Sequence, residues 1–140
     1  MAEKRQLKQV RVGVDFFIVR EDGKFLMTER IGSHGENTYQ LAGEHLEFGE
    51  TLGECALRET KKECGLDVIN PVLIATTEDY FEKEEKHYIT CFMKTKYIGG
   101  EPEVLEPHKT KDWWWVSWDK LPKNSFLPLL NLKKSGFTLI

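Results

Sequence analysis

The sequence predicts one mixed α/β domain. Runs rich in valine, phenylalanine and tryptophan, which favour strands, lie on both sides of a single helix with two clearly marked ends. A length of 140 residues is typical of one domain. No repeat and no linker-like stretch divides the sequence, so we expect residues 1–140 to form a single unit.

The first third of the chain is predicted to be mainly strands. Gln9–Arg20 is an apolar strand pattern, and the dipeptide Asp22-Gly23 after it is a strong hairpin signal. Lys24–Arg30 then forms the returning strand. Thr38–Leu41 predicts a short strand that enters a glycine-punctuated turn running to Gly49.

A helix over Thr51–Leu66 carries the clearest local signals. Thr51 and Glu54 have the spacing of a capping box, in which each side chain satisfies a backbone N–H at the start of a helix. Gly65 stands where a left-handed residue would end the helix. Gly53 weakens this segment by about 1 kcal/mol relative to alanine, which the end signals outweigh.

The second half predicts three more strands and a final helix. The strand-like runs are Val68–Glu78, His87–Ile98 and Asp112–Trp118. Pro128 suits the first turn of a helix, and Gly136 would end it. Strands and helices alternate in this way in layered α/β proteins.

Charge and composition exclude several classes of partner. The formal net charge is -3 and the pI is about 5.8, so the chain lacks the basic surface expected for duplex nucleic acid or an anionic membrane. No apolar run approaches the roughly 20 residues that span a bilayer. The polar start Met1–Arg5 has no signal-peptide pattern.

Three scattered cysteines, Cys55, Cys64 and Cys91, cannot all pair within one chain and lack the spacing of metal ligands. We therefore expect reduced thiols and a cytoplasmic protein, with the nucleus left open.

Two glutamates occupy an unexpected position on the predicted helix. At 100° per residue, Glu59 and Glu63 fall in the middle of the sector that also contains the apolar Cys55, Ala56 and Leu66. Carboxylates on a packing face need a partner. Two kinds of partner would meet this need: a hard divalent cation with oxygen ligands, or lysine and arginine side chains from another element.

The segment around these glutamates resembles the signature of a known family. Residues 43–66 spell GEHLEFGETLGECALRETKKECGL, which is similar to the Nudix box, G-x5-E-x7-R-E-x2-E-E-x-G. The residues that match in spacing are Glu50, Arg58, Glu59, Glu63 and Gly65. The resemblance extends over about residues 11–137 and points to the small MutT-like nucleotide diphosphatases. It implies the Nudix fold, an α/β/α sandwich with a mixed sheet.

The resemblance also implies a reaction and a cofactor. Members of the family hydrolyse a phosphoanhydride bond in nucleoside di- or triphosphate-type substrates with Mg²⁺ or Mn²⁺. It assigns Glu59, Glu63 and the carbonyl of Gly43 to the metal. Arg58 is expected to anchor the box through Glu50 or Glu47 rather than to touch the substrate. We count Glu50, Arg58, Glu59 and Glu63 as the catalytic set.

Substrate contacts are expected outside the box. By resemblance, Gln40 and Leu41 lie near the nucleobase. Trp113 and Trp115, which share one face of their strand, are candidates for lining a base pocket, while Trp114 faces the other way. The substrate would be a nucleotide or another small diphosphate, and the resemblance leads us to expect a homodimer.

Two positions depart from the family pattern. Glu44 replaces the second of two glycines, where it is expected to distort the turn that presents Gly43, and Lys62 replaces a glutamate. We expect Glu44 and Lys62 to form an ion pair across the site, or Glu44 to replace the missing carboxylate. The alternative function is a catalytically impaired Nudix-fold module that binds nucleotides or a protein partner.

Glu106 and the histidines are not among the main residues predicted for the site. Glu106 is either an outer carboxylate of the site or a surface residue. The histidines His45, His87 and His108 are not expected to bind metal because they lack ligand-type spacing.

Overall fold

A computed structural model describes residues 8–32 and 34–139. The segment Met1–Arg5, for which no signal peptide is predicted, lies outside the described residues. The strands of the described part are β1 (Val10–Val19), β2 (Phe25–Arg30), β3 (Tyr39–Gln40), β4 (Ala42–His45), β5 (Val68–Phe81), β6 (Lys86–Tyr97) and β7 (Thr110–Val116). The helices are α1 (Leu52–Cys64), a 3-10 turn (Trp118–Lys120) and α2 (Leu127–Lys134). None of these helices is long and apolar enough to cross a membrane.

The strands form one mixed sheet. Its order is β3-β2-β1-β6-β5, with β4 paired to β1 and β7 paired to β2. The long pairing of β1 with β6 is parallel, and the remaining pairings are antiparallel. The predicted mixed sheet is therefore confirmed.

The sheet separates two apolar layers. Along β1, Val14, Phe16 and Ile18 pack on the side of α1, whereas Phe17 packs with Leu129 and other residues on the side of α2. This alternation follows from the two-residue repeat of a strand. Because a helix covers each face, the predicted α/β/α sandwich is confirmed.

Helix α1 begins and ends where its sequence predicts. The Thr51 hydroxyl accepts from the Glu54 N–H at 3.1 Å, and the Thr51 N–H donates to the Glu54 carboxylate at 2.9 Å. Gly65 adopts φ 75°, and its N–H donates to the Lys61 carbonyl. These two caps set the residues at which α1 begins and ends.

Strand β4 is the main difference from the sequence prediction. Residues 42–45 were expected to belong to a turn running to Gly49, but they pair with β1 from Phe16↔Ala42 to Gly13↔His45. The hydrogen bonds of β1 outweigh the low strand propensity of this glycine-containing segment. The turn is therefore confined to the residues after His45, and β4 lies directly beside α1.

All three cysteines are free and buried, as expected for reduced thiols. Burial raises the pKa of Cys55 and of Cys64 to about 12 and also raises that of Cys91. These thiols are therefore packing groups of the interior.

Candidate active site

Helix α1 turns two carboxylates toward the sheet, as the helical wheel predicts. Glu59 is 1% exposed and Glu63 is 3% exposed, although both carry an ionisable group. Glu63 Oε2 accepts from the Gly43 N–H at 3.2 Å. This bond brings the acidic face of α1 against β4.

Gly43 is required by close packing. A Cβ at this position would lie 2.4 Å from Asp15 Oδ1 and 2.9 Å from the Val14 carbonyl oxygen. The next residue, Glu44, has ordinary strand backbone and is not among the residues with positive φ. The expectation that Glu44 distorts a turn here is therefore wrong, because the segment is a strand.

Arg58 holds the loop before α1 against the helix. Its Nε and Nη2 donate to the Glu50 carboxylate at 2.6 and 3.0 Å, and Nη2 lies 3.7 Å from Glu47 Oε1. Arg58 Nη1 also donates to Glu59. The hydrogen bond from Arg58 lowers the pKa of Glu50 to about 2. The predicted contacts of Arg58 with Glu50 and Glu47 are both present.

The expected Glu44–Lys62 ion pair does not form. Glu44 pairs with Lys109 at 3.1 Å, whereas Lys62 lies 3.8 Å from Glu59 Oε1 and 4.0 Å from Glu106 Oε2. Lys109 is also 3.9 Å from Glu106. Glu106 is only 9% exposed and belongs to the site rather than to the surface. Sequence spacing gave no sign of Lys109, which is 65 residues from Glu44.

The carboxylates of the site are not fully compensated. Glu59 Oε2 and Glu106 Oε1 are buried without a hydrogen-bond partner. Burial raises the pKa of Glu63 well above its ordinary value; Glu59, Glu106 and Glu44 raise it further, and Lys109 opposes them. An excess of oxygen ligands with unsatisfied lone pairs fits a hard divalent cation.

The carboxylates do not yet form a compact ligand set. In the described part of the chain, no three His, Cys, Asp or Glu side chains are already arranged as a metal-binding cluster. Glu59 offers one oxygen to Arg58 and Lys62 and leaves the other without a partner. A cation would therefore satisfy the second oxygen while competing with Lys62 for the same carboxylate.

A cavity of about 240 Å³ opens beside β4. Its lining has an acidic edge at α1 and a group of aromatic rings at the other elements. The polar lining residues include Asp15, Arg30, Gln40, Glu63 and Lys109, and the rings are His34, His45, Phe81, Tyr88 and Phe126. Within this group, Phe81 lies 5.2 Å from Phe126 and 5.8 Å from Tyr88, measured between ring centroids.

The predicted substrate residues separate into two groups. Gln40 lines the cavity, whereas Leu41 is 1% exposed and packs in the apolar layer of α2. Trp113 and Trp115 pack against the apolar layer of α1, away from the cavity lining. Trp114 lies on the opposite face, near Tyr39, so the predicted alternation is correct.

Two polar lining residues were missed by the sequence analysis. Arg30 donates to Gln40 and to the His34 carbonyl, and its guanidinium lies 4.0 Å from the centre of the Phe126 ring. Asp15 is the one acidic residue of β1, and the four residues after it in the strand are apolar. That isolated carboxylate was a visible signal, of the same kind that identified Glu59.

Comparisons with known proteins place the chain in one family. The NUDIX domain family model matches residues 9–134. The chain is 29% identical over 130 residues to an ADP-ribose pyrophosphatase of Methanocaldococcus jannaschii, covering 89% of this chain and 75% of the relative. It is 27% identical over 112 residues to the NAD-capped RNA hydrolase NudC of Stutzerimonas stutzeri, covering 80% of this chain but only 39% of that relative.

The solved structures agree on the fold. A MutT NUDIX hydrolase from Burkholderia pseudomallei superposes with a TM-score of 0.80 at 24% identity, covering 90% of this chain and 98% of that one. Together with the family match over nearly the whole chain, the carboxylate-bearing helix and its cavity define the class of protein. The chain belongs to the Nudix family and is a Nudix hydrolase.

Proposed function

We propose that the chain hydrolyses a phosphoanhydride bond in a nucleoside di- or triphosphate-type substrate with the help of a divalent cation. The observation that carries this proposal is the set of buried carboxylates on α1 and at Glu106, two of whose oxygens lack a partner. Apolar residues would stabilise these positions better if packing were their only role. A cation-binding role explains why Glu59 and Glu63 are acidic.

Glu59, Glu63 and the carbonyl of Gly43 would hold Mg²⁺ or Mn²⁺. When bound there, such a cation would offset the negative charge of the phosphates. One of the two carboxylates orients the attacking water and accepts its proton. Arg58 acts through its contacts, because it fixes Glu59 and ties Glu50 to the helix.

The cavity provides room for the nucleoside part of the substrate. Its aromatic rings suit a planar base, and Gln40 offers an amide beside them. The names of the relatives, ADP-ribose pyrophosphatase and NAD-capped RNA hydrolase, support a nucleoside diphosphate derivative as the substrate class. Nucleoside triphosphates, including modified ones, belong to the same class of anhydride.

Removal of the metal is the first test of this function. The purified chain is incubated with ADP-ribose and a panel of nucleoside di- and triphosphates, in Mg²⁺ or Mn²⁺ and then in excess EDTA. We expect EDTA to reduce phosphate or pyrophosphate release at least about 100-fold, because loss of the cation removes several kcal/mol of charge stabilisation. Restoring the cation should restore release. Metal-independent nucleotide binding without turnover would instead identify the non-catalytic module.

Lys62→Glu is expected to increase cation affinity. The Lys62 ammonium is 52% exposed and lies 3.8 Å from Glu59 Oε1, so it competes with a cation for that carboxylate. We expect Mn²⁺ to bind about tenfold more tightly after the change, as measured by calorimetric titration without nucleotide. Lys61→Glu is the matched control, since Lys61 is 59% exposed and pairs with Asp67, outside the site. Equal Mn²⁺ affinities in the two variants would contradict the prediction.

We also propose that the protein is cytoplasmic and forms a homodimer. The free, buried thiols support a cytoplasmic protein. Exposed apolar residues on the edge strand β5 support a homodimer: Ile69, Val72, Leu73 and Tyr80.

A further inference from the structure

Asp15 occupies a position where a carboxylate is costly. It lies on β1 between β4 and β6, opposite Gly43 on one side and Phe92 on the other. Its side chain is on the same face as Phe17, which is completely buried. A valine in this central strand would pack without a desolvation penalty. Asp15 itself is half-buried, and its carboxylate meets the cavity.

No residue that the structure describes forms a hydrogen bond or an ion pair with the Asp15 carboxylate. The nearby donors are already used: the Thr90 hydroxyl donates to Asp79, and Arg30 donates to Gln40 and to the His34 carbonyl. Burial raises the pKa of Asp15 to about 7, with Arg30 opposing and Asp79 adding to the shift. The carboxylate faces the cavity with free acceptor positions.

The surroundings fix where this carboxylate lies relative to the cation-binding helix. Asp15 Oδ1 packs so closely on Gly43 that any side chain at that position would collide with it. Gly43 in turn donates to Glu63 at 3.2 Å. Gly43 therefore lies between Asp15 and Glu63, which forms the acidic edge of the cavity. Phe81 and Phe126 form a separate aromatic group.

The position of Asp15 between the acidic edge and the aromatic group determines which part of a bound nucleotide it would contact. A carboxylate would repel the phosphates, which a cation held by Glu59 and Glu63 would bind at the acidic edge. The planar base fits the aromatic group. Between phosphate and base lies the sugar, whose hydroxyls are hydrogen-bond donors of the kind that a free carboxylate requires.

We propose that Asp15 accepts a hydrogen bond from a ribose hydroxyl of the substrate and so favours ribonucleotides over deoxyribonucleotides. The inference rests on the proposed function, because it places the phosphates of a nucleotide at Glu59 and Glu63. A hydrogen bond to a charged group contributes about 1.5–3 kcal/mol, which corresponds to a preference of about tenfold or more.

Binding of ligands that cannot be hydrolysed tests this role independently of turnover. The probes are α,β-methylene ADP and its 2′-deoxy and 3′-deoxy forms, titrated by calorimetry in the presence of Mg²⁺. We expect the unmodified chain to bind the ribose form about tenfold more tightly than at least one deoxy form. The more weakly bound deoxy form identifies the hydroxyl. Asp15→Val should reduce this ratio to about one, because it removes the acceptor without adding a donor.

Matched variants separate sugar recognition from a general effect on the cavity. Asp15→Asn keeps one acceptor oxygen and the side-chain shape, so it should retain part of the preference. Tyr88→Phe removes another polar group of the same cavity and should keep the full ratio. Equal binding of ribose and deoxy forms by the unmodified chain, or an unchanged ratio in folded Asp15→Val, would overturn the inference. Loss of hydrolysis alone would affect only the proposed function.

Discussion

Glu63→Gln is expected to reduce phosphate or pyrophosphate release about 1000-fold. Glutamine keeps the size of the side chain, and its amide oxygen can still accept from the Gly43 N–H. It lacks the negative charge that would hold the cation. If the cation contributes about 4 kcal/mol to the transition state, its loss corresponds to this factor. The measurement is initial release rate at saturating Mg²⁺ with the best substrate of the nucleotide panel.

The loss should not come from unfolding. Because the pKa of Glu63 is raised in the folded chain, the ionised carboxylate destabilises the metal-free protein once the pH exceeds the pKa of an unfolded glutamate. In EDTA at pH 8, Glu63→Gln should therefore melt at the same temperature as the unmodified chain or higher. An inactive variant with a clearly lower Tm would indicate a structural role instead.

Glu54→Gln is the control on the same helix. Glu54 is exposed and accepts from the Thr51 N–H, a bond that glutamine can also make in a capping box. This variant should keep nearly full activity. If Glu63→Gln retains release within tenfold of Glu54→Gln, hydrolysis does not depend on the predicted carboxylate.

Local signals explain which parts of the fold could be predicted. The caps at Thr51 and Gly65 define the ends of α1, and its periodicity then turns Glu59 and Glu63 inward. All of this depends on residues within a few turns of one another. The box motif indicates the family, and membership of the family predicts the α/β/α order of the layers.

Long-range contacts explain what the sequence could not predict. Strand β4 exists because β1 pairs with it, and Glu44 meets Lys109 rather than Lys62 through folding of distant segments. The alternation of Trp113 and Trp114 was correct. Alternation alone does not tell which face borders the cavity, and the structure places Trp113 on the other side.

Arg58→Met is expected to destabilise the chain by about 3 kcal/mol and to lower its Tm by about 10 °C. Arg58 contacts Glu50, Glu47 and the buried Glu59, whose side chain is only 1% exposed. Removing the guanidinium leaves this carboxylate with Lys62 at 3.8 Å as its remaining ion-pair partner. We expect this loss of unfolding free energy to lie at the lower end of the range for broken buried ion pairs, because the Arg58 side chain is 34% exposed. Thermal and urea unfolding in EDTA measure the change.

Arg20→Met is the control that tests whether the loss of stability depends on burial of the carboxylate that pairs with the arginine. Arg20 is 32% exposed, almost the same as Arg58, and pairs with Asp22 at 2.7 Å, but Asp22 is 46% exposed. Solvent can replace the arginine at Asp22 and cannot reach Glu59 as easily. Arg20→Met should therefore lower Tm by less than half as much, even though Arg20 also stacks on Trp115. Similar losses in the two variants would show that Arg58 stabilises the chain through surface contacts. The larger loss at Arg58 would show that the same residue that orders the acidic face of α1 also makes its buried charge compatible with folding.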